Sequence, residues 1–574
     1  MTTSLLLAAC FAVSALGPGF LLVRRLPLEP DEKLTAAIGL SLLLVFTASF
    51  GLFAVGLPPA AHWGILFACA GLTAACGGDL ARFLREGEVR AAAGWYIVVA
   101  GCAVGLAALV RNYSGGGWYG DWLEHYQRSL FFLDRPGPET LFQGGFTVPS
   151  RPPLMNVLCA YLISLAGRSF PTYQAASCLL NALVWFPAFL MARRFSRKRG
   201  PAPALLAAFI LFNPMLAQNM AYGWTKLLTA FFVVAAIRFY VEGWKGGASA
   251  RLALAALFLA AGAATHYSAA PYALFLGAHY AVFVLPRRAS RGREMGILLL
   301  CAAAALGPWL AWSLAHYGGA TFTATSTYAD AADKGAAENL GKIGRNIRNS
   351  LVPHLMRGVE MEALNEGPSW GGIRDAAFKL YQSNLIFGFG SLGLILILVS
   401  LLSRSRRGEA GERPPGAAFW LSFLAFTIVV GIAVHGDEDK VGLAHICLQP
   451  LVVLGVAWTS AGFGRWPAGL KLAAAAGLLL DALLGIALHF WFQSVTFGAF
   501  PEGGGPLGMK RADLLVGSVY ANWKLKEKTG LVYMGDLFVG QAPLLAVLLA
   551  ALYAFLLVAL LRRAPGVAAP GRKP

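Results

Sequence analysis

The chain has 574 residues, of which 57% are hydrophobic and 13% charged, with a formal net charge of +18 and a mean hydropathy of +0.61. So apolar a chain cannot solvate itself as a globular protein, which excludes the soluble enzyme classes and makes it an integral membrane protein. The positive balance is no nucleic-acid footprint either, because the basic residues fall in short clusters between apolar runs, a mark of topology.

Apolar runs of roughly 17 to 25 residues read as helical spans, and helices are what satisfy the backbone in lipid. The expected fold is an all-α polytopic bundle of about fifteen helices, a few of them short, with further helices along the outer face. The spans begin near Ser4, Leu34, Ala61, Ala91, Phe170, Ala202, Tyr222, Arg251, Ser268, Glu294, Asn384, Ala417, Val441, Lys471 and Ala542. The first run, Ser4 to Val23, lacks a charged leader and runs straight into further spans, so it reads as a retained helix. Arg24 and Arg25; Arg82, Arg85 and Arg90; Arg193 to Arg199; Arg287 to Arg293; Arg404 to Arg407; and Arg562 and Arg563 are assigned to the cytoplasmic side. Counting spans between them puts the N-terminus outside and the C-terminus inside. The chain divides into accessory helices (1–90), a core (91–460) with outer loops 111–169 and 318–383, and C-terminal helices (461–574) with outer loop 493–541.

Leu154 to Ala166 lies between outer segments and is too short to cross, so it reads as an interfacial or re-entrant helix. In the second long loop Leu340, Ile343, Ile347, Leu351 and Leu355 recur at helical spacing among Lys342, Arg345 and Arg348, which predicts an amphipathic helix on the membrane surface over Asn339 to Met356. The third loop is Gly-rich from Phe497 to Gly508 and basic from Lys524 to Lys528, and carries no chemistry in this reading. No Walker loop, dinucleotide fingerprint or zinc spacing is present, and the eight cysteines read as small core residues.

The first polar stretch, Trp118 to Pro153, concentrates the chemistry. In a helix starting after Gly120, Asp121, Glu124, His125 and Arg128 share one face. A carboxylate at the apolar boundary is a candidate general base, and Asp121 with Glu124 could instead hold a divalent cation. The same Asp-x-x-Glu spacing also spells a capping box, with Asp121 as N-cap and Glu124 its partner. Further polar groups come from short outer turns: Lys226 after Gln218 to Thr225, His266 in Thr265-His266-Tyr267, and His435 and His445 around Gly436 to Lys440. Asp481 interrupts an apolar run, where a carboxylate marks either function or a buried hydrogen bond.

From about Ala91 to Trp458 this layout resembles the GT-C superfamily of polytopic glycosyltransferases, which includes protein O-mannosyltransferases and lipid A aminoarabinose transferases. The matching stretches are Gly120 to Tyr126, Arg151-Pro152-Pro153-Leu154, Leu180 to Arg194, and Asn213-Pro214 through Lys226. Members often carry adjacent acids, whereas here Asp121 and Glu124 stand three apart. The resemblance implies transfer of a sugar from a polyprenyl-phosphate donor to a lipid, glycan or protein acceptor, on the outer face of a bacterial inner membrane. It makes Asp121 the base, with Glu124 orienting it or assisting a cation, and Arg151 and Lys226 partners of the donor phosphate. His125, Arg128, His266, His435 and His445 would line the same cavity. Two alternatives stand beside it: a transporter of lipid-linked oligosaccharide or a small molecule, and a polysaccharide polymerase or ligase using Arg345, Arg348, Arg357 and Arg374.

Overall fold

The computed structural model describes residues 2–111, 113, 115, 118–196, 203–246, 249–325, 332, 334–358, 370–406, 416–435, 440–491 and 529–562. Phe497 to Gly508, Lys524 to Lys528 and Gly436 to Asp439 lie outside them. Among the described residues the protein is a helical bundle with no strand, apart from an isolated bridge between Phe142 and Phe146. It is a multi-pass membrane protein. Nine described helices are long and apolar enough to cross a bilayer, or up to eleven if each of two bent pairs forms one span.

Among the described residues that count does not reach the expected fifteen. A helix begins near every expected start, but Ser249–Thr265 and the continuous run Ala418–Ala433 have no more than 17 residues. At 1.5 Å per residue, 17 residues reach about 25 Å, short of the roughly 30 Å hydrocarbon core. The bends also have local causes. Pro203–Phe212 and Pro214–Ala221 meet at 80°. Pro214 cannot donate to the preceding turn, and Asn213 starts the second helix by accepting Leu216 N–H at 2.9 Å.

The short helix Leu154–Ala166 has the expected length and is covered by protein. Every residue except Ser164 is buried, and the helix packs against the first two spans, the carboxylate helix (Tyr119–Asp134) and Phe170–Ala182. Its sequence is largely apolar because protein covers most of its circumference.

The bundle is tied by ion pairs among the basic clusters. Glu32, fully buried, lies 3.2 Å from Arg238 and 2.8 Å from Arg251. Arg193 pairs with Asp31 at 3.3 Å and also with Glu88, while Arg194 reaches Glu242 at 2.7 Å. Elsewhere the three long loops meet. Asp375 accepts the Gly115 N–H at 3.1 Å, and Arg111 donates to Asp536 at 2.9 Å. The amphipathic segment is helical over Ala336–Leu351, and it sits polar side inward. Lys342, Asn346 and Ser350 are buried while Leu340 and Ile347 are exposed. Asn346 donates to the carbonyls of Ala433 and His435 at 3.3 and 3.0 Å, satisfying acceptors left free where the preceding helix ends.

Candidate functional site

The carboxylate helix, Tyr119–Asp134, takes Trp118 rather than Asp121 as its N-cap, and no side-chain cap hydrogen bond forms there. The capping-box reading is therefore corrected. Asp121 stands at the third helical position, and Glu124 is a turn further in. Gly115, at φ +116°, turns the chain at a point where a Cβ would lie 2.9 Å from Phe378. Trp118 then lodges between His445, with ring centroids 4.4 Å apart, and Phe378 at 6.2 Å.

Free of capping, the acids enter a buried ladder of charge. Arg128 Nε donates to Glu124 Oε1 at 2.7 Å, and Arg151 approaches Glu124 at 3.5 Å and Asp121 at 3.5 Å. The remaining nitrogens of Arg128 donate to Val148 O, Thr147 O and Ser150 Oγ at 2.8, 2.9 and 2.8 Å. Burial draws its pKa down to about 10 against the pull of Glu124. Arg151 lies between the rings of Phe146 and Tyr267 and donates to Tyr267 Oη at 3.2 Å. Burial opposes its charge, but Tyr267, Glu124 and Asp121 outweigh that and hold it above the ordinary arginine range.

The two acids consequently differ. Glu124 is 1% exposed and engaged by two guanidinium groups, whereas the Asp121 side chain is 35% exposed. A divalent cation between them does not fit this arrangement, because Arg128 and Arg151 already occupy the approaches to Glu124. Among the described residues no group of three or more His, Cys, Asp or Glu is arranged to hold a metal ion.

Lys226 begins the span after the Tyr222 turn and is 7% exposed. Its ammonium lies 5.2 Å from the centre of the Trp224 ring and has no ion pair or hydrogen bond among the described residues. His125 is buried, with Nδ1 unpartnered among the described residues. Burial, reinforced by Arg151, lowers its pKa to about 3, against Asp121. His266 is pushed well below the usual range by burial, then by Arg151 and Lys226, and its Nδ1 accepts Ser268 N–H at 3.1 Å. These same interactions identify one neighbourhood. His125 feels Asp121, Arg128, Arg151 and Lys226; His266 feels Lys226, His125 and His435; His445 feels Lys226, His435 and Arg151.

Asp121, Glu124, His125, Arg128, Arg151, Lys226, His266, His435 and His445 thus come from five separated segments to one face. The other outer histidines do not join them. His62, for example, is bonded to Ser49 and Ser164 at 2.8 Å each. Tyr267, Phe146 and Trp118 belong to the site and were not singled out from the sequence, since aromatic residues abound in membrane chains. Asp375 gave no signal at all, because its partner Gly115 lies 260 residues away.

No protein-family model matches the chain, and no curated protein matches its sequence. Among solved structures it is similar to ArnT from Cupriavidus metallidurans bound to undecaprenyl phosphate, at 14% identity and a TM-score of 0.43, over 82% of this chain and 77% of that one. The apo form of the same protein gives 15% identity and a TM-score of 0.40. The archaeal oligosaccharyltransferase AglB from Archaeoglobus fulgidus, in complex with an inhibitory peptide and a dolichol-phosphate, gives 15% and 0.36 over 70% of this chain and 55% of that one.

The side chains themselves carry a chemical statement. With the histidines neutral, Arg128, Arg151 and Lys226 set three positive charges against the two of Asp121 and Glu124, leaving one positive charge uncompensated beside an accessible carboxylate. Such a site can take a proton at Asp121 and neutralise an anion at Arg151 and Lys226. Elsewhere, Asp481 accepts the Ser391 N–H at 2.8 Å at the edge of an apolar crevice. Arg345 and Arg348 lie exposed on the amphipathic helix, Arg357 binds Asn349, and Arg374 pairs with Asp375 at 3.1 Å.

Proposed function

We propose that the protein is a membrane glycosyltransferase that moves a sugar from a polyprenyl-phosphate donor to an acceptor hydroxyl of a lipid, glycan or protein on the outer face of the membrane. The observation that carries this reading is Lys226, a residue 7% exposed whose ammonium makes no ion pair or hydrogen bond among the described residues and lies near Arg151 and the accessible Asp121. An uncompensated charge in a low-dielectric setting is costly, and a ligand phosphate would complete it.

In this mechanism Asp121 accepts the proton of the acceptor hydroxyl as its oxygen forms a bond to the anomeric carbon. The bond from that carbon to the phosphate oxygen breaks, and its electron pair stays on the phosphate. The departing polyprenyl phosphate gains a negative charge, which Arg151 and Lys226 neutralise. Glu124 does not touch the reacting atoms. It fixes Arg151 from a position anchored by Arg128. No metal ion has a step.

Asp121→Asn tests the assignment. It is expected to abolish transfer from polyprenyl-phosphate sugar in a membrane assay while the variant elutes and melts like wild type. Activity within a few-fold of wild type would remove Asp121 as the base.

A further inference from the structure

The end of the third loop, residues 531–537, reaches the base of the carboxylate helix. Gly535 N–H donates to Val110 O at 3.2 Å, in contact so close that a Cβ on Gly535 would lie 2.4 Å from that oxygen. Arg111, next along the stem, donates to Asp536 Oδ1 at 2.9 Å, while Asp536 Oδ2 accepts Tyr533 N–H at 2.8 Å and closes the turn. Met534 N–H donates to Gln174 Oε1 at 2.7 Å, and Gln174 Nε2 donates to Tyr113 Oη at 2.8 Å.

Between these bonds stands the fully buried ring of Tyr533. Its centroid lies 5.4 Å from that of Tyr113, 5.5 Å from Trp122 and 5.1 Å from Phe170. Trp122 follows Asp121 directly, so its indole projects about 100° around the helix from the carboxylate. A ring that seats Trp122 therefore sets the rotation of the first turn, and the Arg111–Asp536 pair sets the height of the stem that enters it.

We infer that Tyr533 to Asp536 form a positioning wedge for Asp121, making a segment near the last span part of the machinery of the first loop. Apolar packing alone would not need the Arg111–Asp536 pair or a glycine against Val110 O. The geometric claim is independent of the proposed reaction. Its kinetic consequence rests on that reading, since misplacement of a reacting group by about 1 Å can cost 100-fold in rate.

Hydrogen exchange on the full-length protein in nanodiscs reads the positioning directly. Tyr533→Ala and Asp536→Asn are expected to speed exchange of residues 118–128 at least tenfold and leave 226–244 unchanged. Tyr533→Phe keeps the ring and should match wild type. Arg111→Lys keeps a cationic donor for Asp536 and should lose less protection than Arg111→Ala. In transfer assays the two wedge variants should lose 10- to 100-fold in kcat with donor KM within about threefold. Unaltered exchange of 118–128 in both variants overturns the wedge. So does an Arg111→Lys variant no better protected than Arg111→Ala, or a uniform increase along the chain. If exchange responds as stated while Asp121→Asn stays active, the wedge stands and the glycosyltransferase reading falls.

Discussion

Lys226 is the residue at which stability and function oppose each other. Its ammonium lies on a span end, 5.2 Å from the centre of the Trp224 ring and with no ion pair or hydrogen bond among the described residues, an arrangement that an apolar side chain of the same reach would relieve. Lys226→Met is therefore expected to leave the unfolding temperature unchanged or raise it by a few degrees, while weakening donor binding about 10- to 100-fold, the range for a lost hydrogen bond to a charged group. Thermal unfolding in detergent and donor titration read the two effects, and a variant both less stable and normal in binding would make Lys226 structural. Sequence reasoning found this residue because a lysine beside an apolar run is conspicuous. It could not decide between a cap and a base for Asp121, since Asp-x-x-Glu fits both. What decided against the cap was where the helix starts, with Trp118 as its N-cap and Asp121 already three residues inside.

The carboxylate helix works as an element because Glu124 and Arg128 stand one turn apart, so that one face carries both the strut and the acid it serves. Both side chains are almost wholly buried and share the bond at 2.7 Å, so their contributions cannot be independent. Glu124→Gln and Arg128→Met should each lower stability clearly, and the double variant should lose less than the sum of the two by about 1–3 kcal/mol. Additive losses in a double-mutant cycle of unfolding would show that the pair is not coupled. At this scale the sequence is legible in position and less so in length. Apolar runs locate helices near all fifteen starts, yet hydropathy does not distinguish a run that crosses lipid from one enclosed by protein. Leu154–Ala166 is the case in point, largely apolar and largely covered by protein. The fold at Asn213-Pro214 had a readable cause, a cap followed by proline, but its 80° angle comes from packing.

Across the whole molecule, Arg193, Arg194, Arg238 and Arg251 pair with Asp31, Glu32, Glu88 and Glu242, while Arg111–Asp536 and Gly115–Asp375 tie the three long loops to one another. Labelling tests the orientation read from charge. A membrane-impermeant maleimide should modify Thr140→Cys in intact cells and Ser196→Cys only after permeabilisation. Seven of the eight native cysteines are buried, which keeps the background low. Modification of both positions from the same side would overturn the topology. The separation of the loops in sequence was invisible beforehand, because no local pattern in loop 493–541 names a partner in the first loop.

The contact between Arg111 and Asp536 joins residues 425 positions apart, and that distance is also an interval of time. At roughly 5–20 residues per second, synthesis of the intervening chain takes about 20–85 s. Throughout that interval the carboxylate helix stands in the membrane without its wedge, with most of the bundle already made. A chain interrupted before Tyr533 would carry Asp121, Arg151 and Lys226 yet lack what holds the first turn in register. The first loop is then made long before the segment that sets its first turn, and the helix takes its final register only after residues 531–537 have left the ribosome.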